Sequence, residues 1–120
     1  MAQDWPALIA EMNPQLASFR GLQPDVMKAF GQMAQAATAN QALDTKTKEL
    51  IALGISVAVR CDPCVAYHAK AAVKSGASEA EVAEALGLAV YMGAGPSAMY
   101  AAKALEATRQ FTAAGTPERS

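Results

Sequence analysis

Both cysteines and the only histidine of this 120-residue chain stand in one stretch, Arg60-Cys61-Asp62-Pro63-Cys64-Val65-Ala66-Tyr67-His68. Two thiols three residues apart can cycle between dithiol and disulfide, and an imidazole four residues after the second can move a proton. A disulfide across so small a loop adds little stability, because cross-link stabilisation grows with loop length. The pair reads as redox-active or metal-binding rather than as a staple. Cys64 falls in the first turn of an expected helix, where unpaired N–H groups and the macrodipole favour a thiolate. His68 follows one turn later on the same face and can take the Cys64 proton. The Asp62 charge acts against this at both sulfurs. Cys61, just before the helix, can attack an oxidised Cys64 and close the disulfide.

The elements that must position this stretch read as helices. A first short helix spans Trp5 to Met12 and stops before Asn13-Pro14. Gly21-Leu22-Gln23 reads as a loop, and Pro24 opens a second helix. Val26, Phe30, Met33 and Ala37 give that helix one buried face, and the chain leaves it from Thr38 to Ala42. Asp44 caps a third helix. From Leu50 to Val59 it is apolar on every side, which implies burial all round. Asp62 reads as the cap of the fourth helix, with Pro63 and Cys64 in its first two positions. Lys74 and Gly76 end it. Ser78-Glu79-Ala80-Glu81 is a capping box for a fifth helix with Val82, Leu86, Ala89, Val90 and Gly93 as its core stripe. Gly93-Ala94-Gly95 stops it, and Pro96 opens a sixth that runs to about Thr112. Met99, Ala102 and Leu105 lie on one side of the sixth helix, and Tyr100, Ala104, Ala107 and Phe111 on another, which suits one internal and one intersubunit face. Ala113 to Ser120 reads as a frayed polar tail.

If the third and fourth helices form an antiparallel hairpin about Arg60, His68 lies opposite Leu53. Glu49 is then about 6 Å further along the axis, within reach through one water. Its role would be to orient the imidazole or relay its proton. Ser56 and Tyr67 lie near enough to touch the site, although core packing accounts for both. Tyr91 and Tyr100 read as helix contacts.

Composition narrows the function classes. The chain is 52% hydrophobic but only 6% aromatic, which favours packed helices, and its length suits one domain over residues 1–120 with a core at about 24–112. A net charge of -1 gives no footprint for nucleic acid or an anionic membrane. Met1 to Pro6 lacks the start of a signal peptide, and the longest strongly apolar run is about half of a membrane span. The expectation is a soluble, cytoplasmic protein.

Glu49 followed by Cys61-x-x-Cys64-x-x-x-His68, Ala71-Ala72 and Gly76-Ala77-Ser78 resembles the alkyl hydroperoxide reductase D-like (AhpD-like) proteins of the carboxymuconolactone decarboxylase superfamily. Thr47 to Leu53 and Met92 to Tyr100 are similar to that family as well, so the resemblance covers about residues 24 to 105. It implies an all-α, AhpD-like bundle of about six helices assembled as a homo-oligomer, a trimer or hexamer. It implies a thiol peroxidase or disulfide oxidoreductase acting on a hydroperoxide or disulfide. Cys64 would be the peroxide-reactive thiol, Cys61 the resolving one, and His68 with Glu49 the proton relay. No cofactor is bound; a lipoyl group or another dithiol supplies electrons, with a peroxiredoxin or lipoylated protein as partner. Asp62-Pro63 between the cysteines varies in the family and should tune potential and access.

Two other readings stay open. One is a non-redox oligomeric binding protein whose C-x-x-C is vestigial or metal-bound. Zinc would draw on Cys61, Cys64, His68 and Glu49, a poor set for a structural site. The other is lactone decarboxylation, which does not need the cysteine pair.

Overall fold

The computed structural model describes residues 3–119, with side chains described as far as residue 115. Among the described residues every regular element is a helix: α1 (Trp5–Leu22), α2 (Pro24–Thr38), α3 (Thr45–Ala58), α4 (Asp62–Lys74) and α5 (Glu79–Arg119). None of these helices is long and apolar enough to cross a membrane.

The centre of the molecule is α3 packed on α4 and on α5, with α4 also against α5. α1 crosses α4 and meets α5, whereas α2 touches only α1 and α3. Leu53 and Val57 of α3, Val65 and Ala69 of α4, and Val82, Leu86, Ala104 and Phe111 of α5 form the core, closed at one end by Trp5. Leu53 is 0% exposed, so truncating it to alanine would cost about 2–5 kcal/mol.

α1 does not stop at Pro14; it continues to Leu22 with Pro14 inside it. A proline in a helix removes one N–H bond to the carbonyl four residues back. Here that carbonyl belongs to Ala10, which is exposed and can turn to water. The break expected over Gly21-Leu22-Gln23 shrinks to Gln23 alone, at φ -133° and ψ 61°, before Pro24 opens α2.

α2 has the expected limits but not the expected burial. No residue of it is buried: Phe30 is 55% and Met33 62% exposed, and Val26 is exposed as well. α3 is not buried all round either, since Ile51, Ile55 and Val59 are exposed while Glu49, Leu53, Ser56 and Val57 are buried. The apolar stripes are real, but within one chain nothing covers their outer parts.

The α3–α4 turn has a Schellman geometry. Cys61 N–H donates to Ser56 C=O at 3.2 Å and Arg60 N–H to Val57 C=O at 3.2 Å, with Arg60 at φ 58°. α4 ends the same way at Gly76, φ 91°, with Ala77 N–H donating to Ala72 C=O at 3.0 Å. The capping box of α5 is closed: Ser78 N–H donates to Glu81 Oε1 at 2.9 Å, and Glu81 N–H to Ser78 Oγ at 3.1 Å.

α5 is two helical limbs joined at Ala94, whose φ 55° and ψ -137° are non-helical. The expected fifth and sixth helices are these limbs. The second limb buries Ala104, Ala107 and Phe111 and leaves Met99 and Ala102 outside. It stays helical to Arg119 instead of fraying from Ala113. Gln110 ties it down by accepting from Trp5 N–H at 2.7 Å and donating to Gln3 C=O at 2.7 Å.

Candidate active site

Cys61 and Cys64 are joined as a disulfide with their Cα atoms 5.2 Å apart. The expected cap of α4 is corrected by one residue. Cys61, not Asp62, is the N-cap, and its Sγ accepts from the Cys64 N–H at 3.2 Å. Cys61 carries the extended backbone that a cap requires, at φ -108° and ψ 101°, and Asp62 and Pro63 follow as the first helical residues. Cys64 therefore sits in the first turn, among N–H groups that have no helical partner.

His68 is one turn further along α4, and Glu49 faces it from α3. Nδ1 of His68 lies 2.7 Å from Oε1 of Glu49, a direct contact where the hairpin estimate required a water. Glu49 is 7% exposed and the His68 side chain 36%. With the carboxylate ionised, Nδ1–H donates to it and Nε2 is the nitrogen left to exchange a proton. A buried carboxylate on one ring nitrogen fixes both tautomer and ring orientation, as a proton relay needs.

The cysteines, His68 and Glu49 are thus assembled on the two facing helices α3 and α4. Ser56 is not part of the site; it is buried and donates from Oγ to Ala52 C=O at 2.7 Å. Tyr67 turns the other way, donating to Asn13 Oδ1 at 2.5 Å and fastening α1 to α4. An apolar cleft of about 440 Å³ between α2 and α3, lined by Phe30, Met33, Ile51 and Ile55, reaches His68 at one end.

On the Asp62 side of the cysteines the sequence reading missed an association. Tyr100, from the second limb of α5, faces Asp62. That carboxylate, as hydrogen-bond acceptor, pushes the phenol above its ordinary value, while Arg60 pulls the other way. Asp62 Oδ1 is fully buried and has no hydrogen-bond partner among the described residues. Tyr100 stands far from the cysteines in the chain, so no spacing could reveal the pair; the one clue was an acidic residue between two thiols. Among the described residues no group of three or more His, Cys, Asp or Glu is arranged to hold a metal ion.

A helical hairpin carrying C-x-x-C at its turn, backed by a Glu–His pair, defines the class. The chain belongs to the carboxymuconolactone decarboxylase family, whose model matches residues 24–107. It is 48% identical to a carboxymuconolactone decarboxylase family protein of Legionella pneumophila, solved in its apo form, with a TM-score of 0.88 over 90% of this chain and 96% of that one. A Thermotoga maritima member, described with a suggested part in the antioxidative response, is 28% identical with a TM-score of 0.81 over 93% of this chain and 96% of that one. An uncharacterized Cupriavidus necator protein is 39% identical over 105 residues, 88% of this chain and 93% of its own.

Proposed function

We propose that the protein is a thiol-dependent peroxidase and disulfide oxidoreductase. The Cys64 thiolate attacks the terminal oxygen of a hydroperoxide, the O–O bond breaks, and His68 protonates the departing alkoxide. Cys64 is left as a sulfenic acid. Cys61 attacks that sulfur, the S–S bond forms and water leaves. The sum is two thiols and one hydroperoxide giving a disulfide, an alcohol and water. An external dithiol of the lipoyl type, free or on a partner protein, then reduces the disulfide by exchange.

The observation that carries this reading is the 2.7 Å contact between His68 and buried Glu49, one helical turn beyond Cys64. A histidine held in this way serves as a proton relay for a thiol in the first turn. The suggested antioxidative part of the Thermotoga maritima relative points in the same direction.

The working form in this proposal is a homo-oligomer. Phe30 and Met33 of α2, Ile51 and Ile55 of α3, and Leu88 and Met92 of α5 are all exposed. Ile51 and Ile55 form a ridge between two apolar clefts. Contiguous apolar surface of this kind marks an interface.

The test is free-thiol content by mass-detected alkylation, before and after one equivalent of hydrogen peroxide or of oxidised lipoamide, on wild type and on Cys64→Ser. Loss of both thiols as a Cys61–Cys64 disulfide in wild type alone is the expected result. Retention of both thiols after oxidant would overturn the assignment.

A further inference from the structure

We infer that the cleft between α2 and α3 holds the apolar body of the peroxide substrate, so that the protein acts on an organic hydroperoxide with an extended hydrocarbon chain in preference to hydrogen peroxide. The inference rests on the thiol-redox reading and names the substrate class for it.

Three observations converge. First, the cleft has the size and lining of a small-molecule site. Phe30 and Met33 of α2 and Ile51 and Ile55 of α3 line it with large apolar side chains, and Ala34, Ala37 and Ala52 leave room among them. The resulting trough is about 440 Å³, within the roughly 300–1,000 Å³ of such sites. Second, its direction is fixed. Thr38 C=O accepts from Thr45 Oγ1 at 2.7 Å and Ala39 C=O from Lys48 Nζ at 2.7 Å, so the end of α2 lies beside the start of α3. Glu49, in that same turn of α3, holds His68 at 2.7 Å. His68 therefore stands at one end of the trough, and Phe30 and Ile55 belong to the other. From Lys48 to Ile55 the trough follows about 10 Å of helix, the span of an octyl chain. Third, the lining includes the residue that protonates the departing alkoxide in the reading above. Of the other polar lining residues, Thr38 donates to Ala34 C=O at 2.9 Å and Lys48 is the donor to Ala39. The neighbouring cleft between α3 and α5, about 340 Å³, is also apolar but has none of the four candidate residues in its lining.

The chemistry requires the organic body and His68 to adjoin. The Cys64 thiolate attacks the terminal peroxide oxygen. An S–O bond forms, the O–O bond breaks, and its electron pair goes to the inner oxygen, which is bonded to the organic body. That alkoxide takes the proton that His68 received from the Cys64 thiol. Sulfur is oxidised to the sulfenic acid and the peroxide is reduced to an alcohol. The body is thus attached to the very atom that His68 protonates. A chain lying in the trough from its His68 end delivers that oxygen to the ring, one helical turn or about 6 Å along α4 from Cys64. Hydrogen peroxide has no body to seat and gains nothing from the cleft.

The ridge of Ile51 and Ile55 is one wall of this cleft and belongs also to the interface proposed above. The two roles are compatible. A subunit seated on the ridge roofs the trough, and removal from water strengthens the hold on an apolar chain.

The experiment measures the second-order rate of Cys61–Cys64 disulfide formation in the reduced protein with hydrogen peroxide, ethyl hydroperoxide and octyl hydroperoxide. The two organic probes carry the same reacting group, and free cysteine in solution gives their intrinsic rate ratio. The octyl-to-ethyl ratio of the protein is expected to exceed that of free cysteine at least about tenfold, since each methylene buried in the cleft is worth up to about fourfold. Ala34→Phe fills the trough from an exposed position and is expected to bring the ratio within about threefold of free cysteine. Ala37→Phe, at a second exposed lining position, is expected to do the same and decides the matter if Ala34→Phe does not fold. Absence of a chain-length preference in wild type, or its survival in the folded variants, would overturn the inference. Slower reduction of the disulfide by dihydrolipoamide in Ala34→Phe, with the preference intact, would give the cleft to the electron donor and overturn it as well. So would a fall in sedimenting mass accompanying the lost preference, which would give the cleft to a second copy. Thiols inert to all three peroxides would end the redox reading and this inference with it, whereas thiols that react without regard to chain length would remove this inference alone.

Discussion

Glu49 on α3 and His68 on α4 meet at 2.7 Å with the carboxylate almost wholly inside the protein. The pair is asymmetric in what its loss would do. His68→Ala leaves a buried carboxylate without its partner and should lower stability by about 1–3 kcal/mol. Glu49→Gln keeps a hydrogen-bonding group against the ring and should cost less than 1 kcal/mol. Both should slow peroxide-driven disulfide formation by about 10²-fold, the usual weight of an acid–base group. Urea unfolding of the reduced proteins and stopped-flow oxidation check the two halves. Equal rates in wild type and Glu49→Gln would remove Glu49 from the relay.

Arg60 occupies a left-handed position, φ 58°, that the Schellman turn between α3 and α4 demands. A side chain there costs roughly 1–2 kcal/mol, part of which glycine returns through its greater freedom when unfolded. Arg60→Gly should therefore raise stability by about 0.5–1 kcal/mol, and Arg60→Val should lower it by at least as much. Denaturant midpoints measured with the disulfide intact in all three proteins decide it.

The exposed ridge of Ile51 and Ile55 beside Phe30 gives a prediction about assembly. Phe30→Glu with Ile55→Glu should reduce the sedimenting mass of a homo-oligomer to that of one 12.4 kDa chain without loss of helix signal. Wild type sedimenting as a single chain would refute the oligomer.

Lys46 and Glu81 tie α3 to α5 at 2.8 Å. The hydrogen bond from Lys46 holds Glu81 below its ordinary value, and its partner raises Lys46. The stability from Glu81 is thus present above the unfolded carboxylate value, near pH 4, and disappears as pH falls through the lower folded value. Glu81→Gln keeps the cap on Ser78 N–H but loses the charge. It should be less stable than wild type at pH 7 and equal to it near pH 2. The difference should be small and shrink in 1 M salt, because the pair is partly exposed. A pH series of urea midpoints checks it.

Helix positions were legible wherever local chemistry decides them. Asp44 caps α3 by accepting from Thr47 N–H at 2.8 Å, Ser78 and Glu81 form their box, and Gly76 ends α4. Pro14 misled because its cost depends on where the freed Ala10 carbonyl points, which local sequence does not encode. The apolar stripe of α2 and the all-apolar stretch of α3 misled about burial, since an apolar pattern does not say what covers it. The four candidate residues stand out by type and spacing, and a hairpin estimate puts Glu49 near His68, where the structure has them in contact. The association of Tyr100 with Asp62 was not legible, because Tyr100 stands far along the chain, on the limb of α5 beyond the non-helical Ala94.

The sulfur that caps α4 gives this protein a built-in reporter. The Cys64 amide donates to Cys61 Sγ, an atom whose chemical state changes in every proposed cycle. Once the S–S bond opens, that sulfur is free to rotate and gains a proton of its own. One backbone amide resonance should therefore follow oxidation, reduction and mixed-disulfide formation with no added label. The same amide would time each thiol step against any fraying at the start of α4.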